Sequence, residues 1–127
     1  MASPFLAKPA HEHIAANDLA FAILDGFPVS AGHTLIVTRR EIATWFDATE
    51  AEQLAVLHLV DEVRRQLDAE LHLDGYNIGC NVGPAAGQTV AHLHVHVIPR
   101  YLGDVPDPRG GVRHVIAAKG NHLPAEP

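Results

Sequence analysis

Short apolar runs of strand length and one long stretch of helical period divide this chain. Leu19-Ala20-Phe21-Ala22-Ile23-Leu24 is an apolar run that ends at Asp25-Gly26, and Thr34-Leu35-Ile36-Val37-Thr38 is β-branched and apolar. Both predict buried strands. Between them Asp25 to His33 contains Gly26, Pro28 and Gly32, so an antiparallel hairpin with a broad loop is expected, with His33 at the entrance to the second strand. Asp47-Ala48-Thr49-Glu50 has capping-box spacing and predicts a helix start. Val56, Leu59, Val60, Val63 and Leu67 then recur at three- and four-residue steps, while Asp61, Glu62, Arg64, Arg65 and Asp68 fall on the other side. That pattern predicts one amphipathic helix reaching Leu71. After the Asp74-Gly75 turn, Tyr76 to Asn81 predicts a third long strand, and Gly83 to Gly87 a loop of small residues.

Beyond that loop the chain reads Gly87-Gln88-Thr89-Val90-Ala91-His92-Leu93-His94-Val95-His96-Val97-Ile98-Pro99-Arg100. A strand sends successive side chains to opposite faces, so His92, His94 and His96 are expected to line one face while Leu93, Val95 and Val97 pack inward. The stretch before Ile14, with Pro4 and Pro9, reads as a leading arm, and residues 102–127, rich in Gly, Pro and charge, as a surface tail or flap.

Strands at both ends of one long helix argue an α+β fold around an antiparallel sheet of about five strands. The 127 residues, 47% hydrophobic, suit a single domain spanning 1–127 with its core at about 16–101. One helix covers such a sheet poorly, and a homodimer with a sheet extended across both copies is expected. A formal charge of −6 argues against a nucleic-acid partner, which needs a basic stripe. No apolar stretch is long enough to span a membrane, so no membrane partner is expected. The lone Cys80 fits a reducing compartment, and the expected location is cytoplasmic.

Three readings compete for the alternating histidines. Solvated surface histidines are the bland one. In the second they bind a metal, but His92 and His96 lie roughly 13 Å apart along an ideal strand, too far for easy three-point coordination, and no acidic or cysteine motif adjoins them. The third is covalent catalysis. Neutral imidazole is a nucleophile without negative charge, able to approach an anionic phosphorus centre, while flanking histidines donate to the phosphoryl oxygens.

The Gly87–Arg100 segment resembles the signature of the histidine triad (HIT) family of nucleotide hydrolases and transferases, His-φ-His-φ-His-φ-φ with φ apolar. Gly32-His33-Thr34-Leu35-Ile36-Val37, Gly75-Tyr76-Asn77-Ile78-Gly79 and Asn81-Val82-Gly83 occur in the family's order, so the similarity covers roughly Ala16 to Tyr101. The resemblance implies a hydrolase of the branch acting on dinucleoside polyphosphates, with a nucleotide substrate, a purine nucleotide by expectation, and no cofactor. It implies His94 as nucleophile toward the α-phosphorus, with His96 and His33 at the phosphoryl group or holding the nucleophile, and His92 orienting its neighbours. Asn81 matches a phosphate contact, Thr89 a hydroxyl near the leaving group, and Gln88 and Gly87 the loop beside them. Asp25 matches the ribose position, and Phe21, Ile23 and Leu35 would hold the base.

Some family members bind a structural zinc through Cys-x-x-Cys near the N-terminus. With Cys80 alone this chain lacks that motif, and no metal is expected. The transferase branch has glutamine at the third histidine, whereas this chain keeps His96, which implies hydrolysis. A phosphoramidase of the same family and a nucleotide-binding module without turnover stay open. The tail arginines Arg109 and Arg113, with Arg100, could reach a polyphosphate or simply be solvated. His11, His13, His58, His72, His114 and His122 match no catalytic position and are expected at the surface.

Overall fold

The computed structural model describes residues 2–124. Five strands form one antiparallel sheet in the order β1-β2-β3-β5-β4, with β1 at Ala15–Ala16, β2 at Ala20–Leu24, β3 at Thr34–Thr38, β4 at Gly75–Gly79 and β5 at His94–Arg100. One long helix, α1 at Glu50–Glu70, lies between β3 and β4 in sequence. Among the described residues, no helix is long and apolar enough to cross a membrane.

Alternation within the strands gives the sheet two apolar faces. On one, Ala20, Ala22, Ile36, Val95 and Val97 pack against Val56, Leu59, Val63 and Leu67 of α1, the inward stripe of the three- and four-residue pattern. On the other, Phe21, Ile23, Leu35 and Val37 make a smaller cluster with Phe5 of the N-terminal arm over it. The register sets Leu35 opposite His96 and Val37 opposite His94, so this second face is the one that carries the histidines.

The helix begins two residues later than the Asp47 signal predicts for its cap. Thr49 is the N-cap: it accepts from the Glu52 amide, and the Glu52 carboxylate accepts from the Thr49 amide. Asp47 is engaged instead in a box with Thr44 around a preceding 3-10 turn, Trp45–Asp47. Buried Glu52 is also held by Arg40 at 2.7 Å, and the bond from that guanidinium lowers its pKa to about 2.

A larger difference concerns the histidine row. The ladder starts at His94, and His92 lies before it on the same side as His94, with Phe5 against both rings, but it is fully buried beneath the N-terminal arm rather than open to the outside. Leu93 keeps the inward alternation with Val95 and Val97, and its amide donates to the Ile42 carbonyl at 2.7 Å. Strand β4 is also shorter than the predicted Tyr76–Asn81 segment, leaving Cys80 just past its end, partly buried against the main core. The tail after Arg100 folds back as short 3-10 turns at Gly111–Val115 and Ala117–Lys119.

Candidate functional site

His33, at the mouth of β3, is placed by Gly32. Gly32 has φ +90°, and a Cβ there would come within 2.7 Å of Leu71 Cδ1 and 3.2 Å of both Leu67 Cδ2 and Pro99 Cγ. Only glycine relieves both constraints. Gly32→Ala is expected to cost about 1–3 kcal/mol of stability and to displace His33. A urea midpoint equal to that of the parent chain would refute this.

The His33 ring is fixed at both nitrogens. Nδ1 accepts from the Val29 amide at 3.1 Å, which assigns the proton to Nε2. Nε2 then donates to His96 Nδ1 at 2.9 Å, with Asp25 Oδ2 at 3.4 Å beside it. His96 is thereby left with its proton on Nε2. His94 Nδ1 donates to the His92 carbonyl at 2.7 Å, which leaves the lone pair on Nε2. Buried His92 donates from Nε2 to the Thr38 carbonyl at 2.7 Å and accepts at Nδ1 from the Ser3 hydroxyl at 2.6 Å. Backbone groups thus choose the tautomer of all four rings, directly or through one neighbour. Burial is the leading cause that lowers the pKa of His33, His92 and His96, so these three are neutral near pH 7.

His94, His96, His33 and Asp25 line a cavity of about 540 Å³. Asn81, Gly87 and Thr89 line it from the loop after β4, and Ile23, Leu24, Leu35, Phe27 and Val29 supply apolar walls. The Asp25 carboxylate also accepts from the Phe27 amide at 2.8 Å, which ties the lip of the cavity to its own turn. Two of the residues expected at the substrate lie elsewhere. Gln88 spends its amide on the loop backbone, donating to the Ala43 and Val90 carbonyls and accepting from the Gly83 amide. It shapes the loop that presents Gly87 and Thr89. Phe21 is held under His13, stacked at 4.3 Å, and Arg39, at 5.7 Å, away from the cavity lining.

The tail arginines are also engaged away from the cavity. Arg100 binds Asp104 and Asn77, Arg109 binds Asp107, and Arg113 donates to the Lys119 and Gly120 carbonyls. Residues of the N-terminal arm, which carry no motif, take their place. Pro4, Phe5 and Lys8 of the arm line the cavity, and Lys8 is the only lysine or arginine among the described lining residues. No local pattern marks them, because the arm reaches the site only through the tertiary fold.

Asp25, His33 and His96 each offer one ligand atom within 4.8 Å of the others. The arrangement does not fit a metal as it stands: the Val29 amide occupies His33 Nδ1, so the nitrogen facing the cluster carries a proton rather than a lone pair. His33 and His96 are instead hydrogen-bonded to each other at the cavity wall, with the Asp25 carboxylate beside them.

An antiparallel sheet with one helix, and a pair of strand histidines facing a cavity whose other wall carries a third, define a HIT-type fold. A model of the HIT domain family matches residues 8–103, and the chain belongs to this family. It is 38% identical over 88 residues to a 16.1 kDa HIT-like protein of Mycoplasma pneumoniae, covering 69% of this chain and 61% of that one. It is 34% identical over 92 residues to the AP-4-A phosphorylase of Mycobacterium tuberculosis, covering 72% of this chain and 47% of the enzyme. The chain therefore spans less than two thirds of these relatives. Among solved structures, a zinc-bound histidine triad family protein from Mycobacterium smegmatis superposes with a TM-score of 0.73 at 32% identity, covering 92% of each chain.

Proposed function

We propose that the protein is a nucleotide hydrolase that acts at the α-phosphate of a nucleoside phosphate derivative, a dinucleoside polyphosphate by preference, through a nucleotidyl-histidine intermediate on His94. The observation that carries this reading is the His94 Nδ1–H donated to the His92 carbonyl, which leaves Nε2 as a free nucleophile in the cavity. Its lone pair attacks the α-phosphorus, and the bond to the leaving phosphate oxygen breaks. The Nδ1–H bond to the carbonyl stabilises the imidazolium that results. His96 Nε2–H donates to the phosphoryl and leaving-group oxygens, and the bond from His33 holds that orientation. Water then adds to phosphorus, the phosphorus–nitrogen bond breaks, and a nucleoside monophosphate leaves while the water's proton passes to solvent.

Asp25 fits the ribose hydroxyls, Asn81, Gly87 and Thr89 the phosphates, and Ile23, Leu35 and Phe5 a purine base. The likeness to the mycobacterial AP-4-A phosphorylase supports a dinucleotide-type substrate. The test is a turnover screen of dinucleoside polyphosphates against nucleoside phosphoramidates. Faster turnover of the phosphoramidates would reassign the leaving group, and no turnover of either class would leave a nucleotide-binding module.

We also infer a homodimer. Strand β4 is an edge of the sheet with Ile78 half exposed, and Leu54 and Leu57 lie exposed on α1. Light scattering at micromolar concentration is expected to give twice the chain mass. A fully active monomer would remove this inference.

A further inference from the structure

Ser3 stands out in the N-terminal arm. The described residues around it, Ala2 and Pro4 to Glu12, are exposed or half-buried, yet Ser3 is only 5% exposed and uses every polar group of its side chain and amide. Its amide donates to Glu41 Oε1 at 2.6 Å, its hydroxyl donates to His92 Nδ1 at 2.6 Å, and the same oxygen accepts from the Phe5 amide at 3.2 Å. The anchor on the other side is rigid. His92 is fully buried and fixed to Thr38, and Glu41 is kept beside it because the next residue, Ile42, receives the Leu93 amide.

The consequence lies two residues further along. The Phe5 ring sits 4.8 Å from the His94 ring and 5.8 Å from that of His92, and Pro4, Phe5 and Lys8 form one wall of the cavity. Apart from Phe5, the arm contributes little to the buried clusters. An arm with so small an apolar anchor is held by its polar contacts, and here these converge on Ser3.

We propose that Ser3 is a positioning residue for substrate binding: its amide and hydroxyl latch the N-terminal arm onto Glu41 and His92 and thereby build the Phe5 and Lys8 wall of the cavity. The proposal rests on the cavity being the nucleotide site, as in the reading above. Undocking the arm removes an aromatic surface and a cation from a site for an aromatic anion, while His94 and His33 keep their own backbone contacts and His96 its bond to His33. The latch therefore governs KM more than kcat.

The experiment compares Ser3→Ala, Glu41→Ala, Glu41→Gln and Phe5→Ala in the full chain. It reads KM and kcat for the best substrate of the screen, equilibrium binding of a nucleoside monophosphate, and hydrogen exchange of arm amides. Ser3→Ala and Glu41→Ala are expected to raise KM and the monophosphate Kd about tenfold, with kcat within about threefold, and to speed exchange at residue 5. Glu41→Gln, which keeps an oxygen acceptor for the Ser3 amide, should recover most of that loss. Phe5→Ala should raise KM similarly while the arm stays protected from exchange. The double variant Ser3→Ala/Glu41→Ala should be no worse than either single change, because both release the same arm. Unchanged KM in Ser3→Ala, or a fall in kcat alone, would overturn the proposal. Exchange and monophosphate binding do not depend on turnover. A failure of the hydrolase reading, seen as no label on His94 in the parent chain, is therefore separable from a failure of the latch.

Discussion

His94→Ala is expected to abolish turnover, by about four to six orders of magnitude, while nucleoside monophosphate still binds within a few-fold of the parent affinity. The asymmetry follows from what the ring does. Its Nε2 forms a bond in the transition state that the ground state lacks, so its removal raises the barrier without removing much binding. Acid quenching destroys a phosphorus–nitrogen bond, so the intermediate must be trapped in alkali, and peptide mapping should place one nucleotidyl group on His94. His96→Ala has a different expected signature: slower turnover with labelling of His94 retained, since His96 donates a hydrogen bond to the phosphoryl oxygens rather than the attacking pair. A label on His96, or near-normal turnover by His94→Ala, would overturn the assignment of the nucleophile. His92 cannot compete for that role in this structure, because both of its ring nitrogens face buried protein partners.

Much of the frame is legible in the sequence because it rests on local rules. Strands β2 and β3 fall where uninterrupted apolar runs put them, and α1 ends within one residue of its predicted limit, since the stripe of Val56, Leu59, Val63 and Leu67 has only one way to be buried. The start of α1 falls at Thr49 rather than at the expected Asp47 for a physical reason. Thr44 and Thr49 each have a carboxylate three residues on, both pairs form boxes, and only the second opens a long helix. At the site, His33, His94, His96, Asp25, Asn81, Gly87 and Thr89 line one cavity, which brings together the positions that the family resemblance implies. His92 follows the alternation the sequence predicts, and what the sequence does not show is its burial under Ser3 and Phe5 of the arm. That cover is a contact between residues 89 apart in sequence. Ser3, Phe5 and Lys8 were invisible for the same reason. Their importance comes from where the arm docks, and no periodicity or motif in the arm encodes it.

The second large effect is on stability, and it is also expected at His92. Its ring is fully buried between Thr38 and the arm. Removing it in His92→Ala leaves a cavity, a Thr38 carbonyl without its imidazole donor and a Ser3 hydroxyl proton without its acceptor, at a cost of about 3–5 kcal/mol. His92→Gln, whose side chain both donates and accepts, should recover part of this. The same burial makes the parent chain sensitive to acid. His33, His92 and His96 have pKa values lowered from 6.5, chiefly by burial. Below that pH the unfolded chain binds protons that the folded chain refuses, so the stability these rings carry is fully present above 6.5 and is lost as the pH falls toward their folded values. Each ring adds a slope of at most about 1.4 kcal/mol per pH unit. The carboxylate of Glu52, depressed from 4.5 to about 2, also loses its contribution on acidification, but only at lower pH. Urea midpoints from about pH 7.5 to about pH 5 therefore isolate the histidines. In His92→Gln the slope over that range should be shallower, because one of three buried acceptors of a proton is gone. A slope equal to that of the parent chain would show that His92 is no part of the acid response, and an unfolding free energy for His92→Ala within about 1 kcal/mol of the parent would show that its buried contacts carry little of the fold.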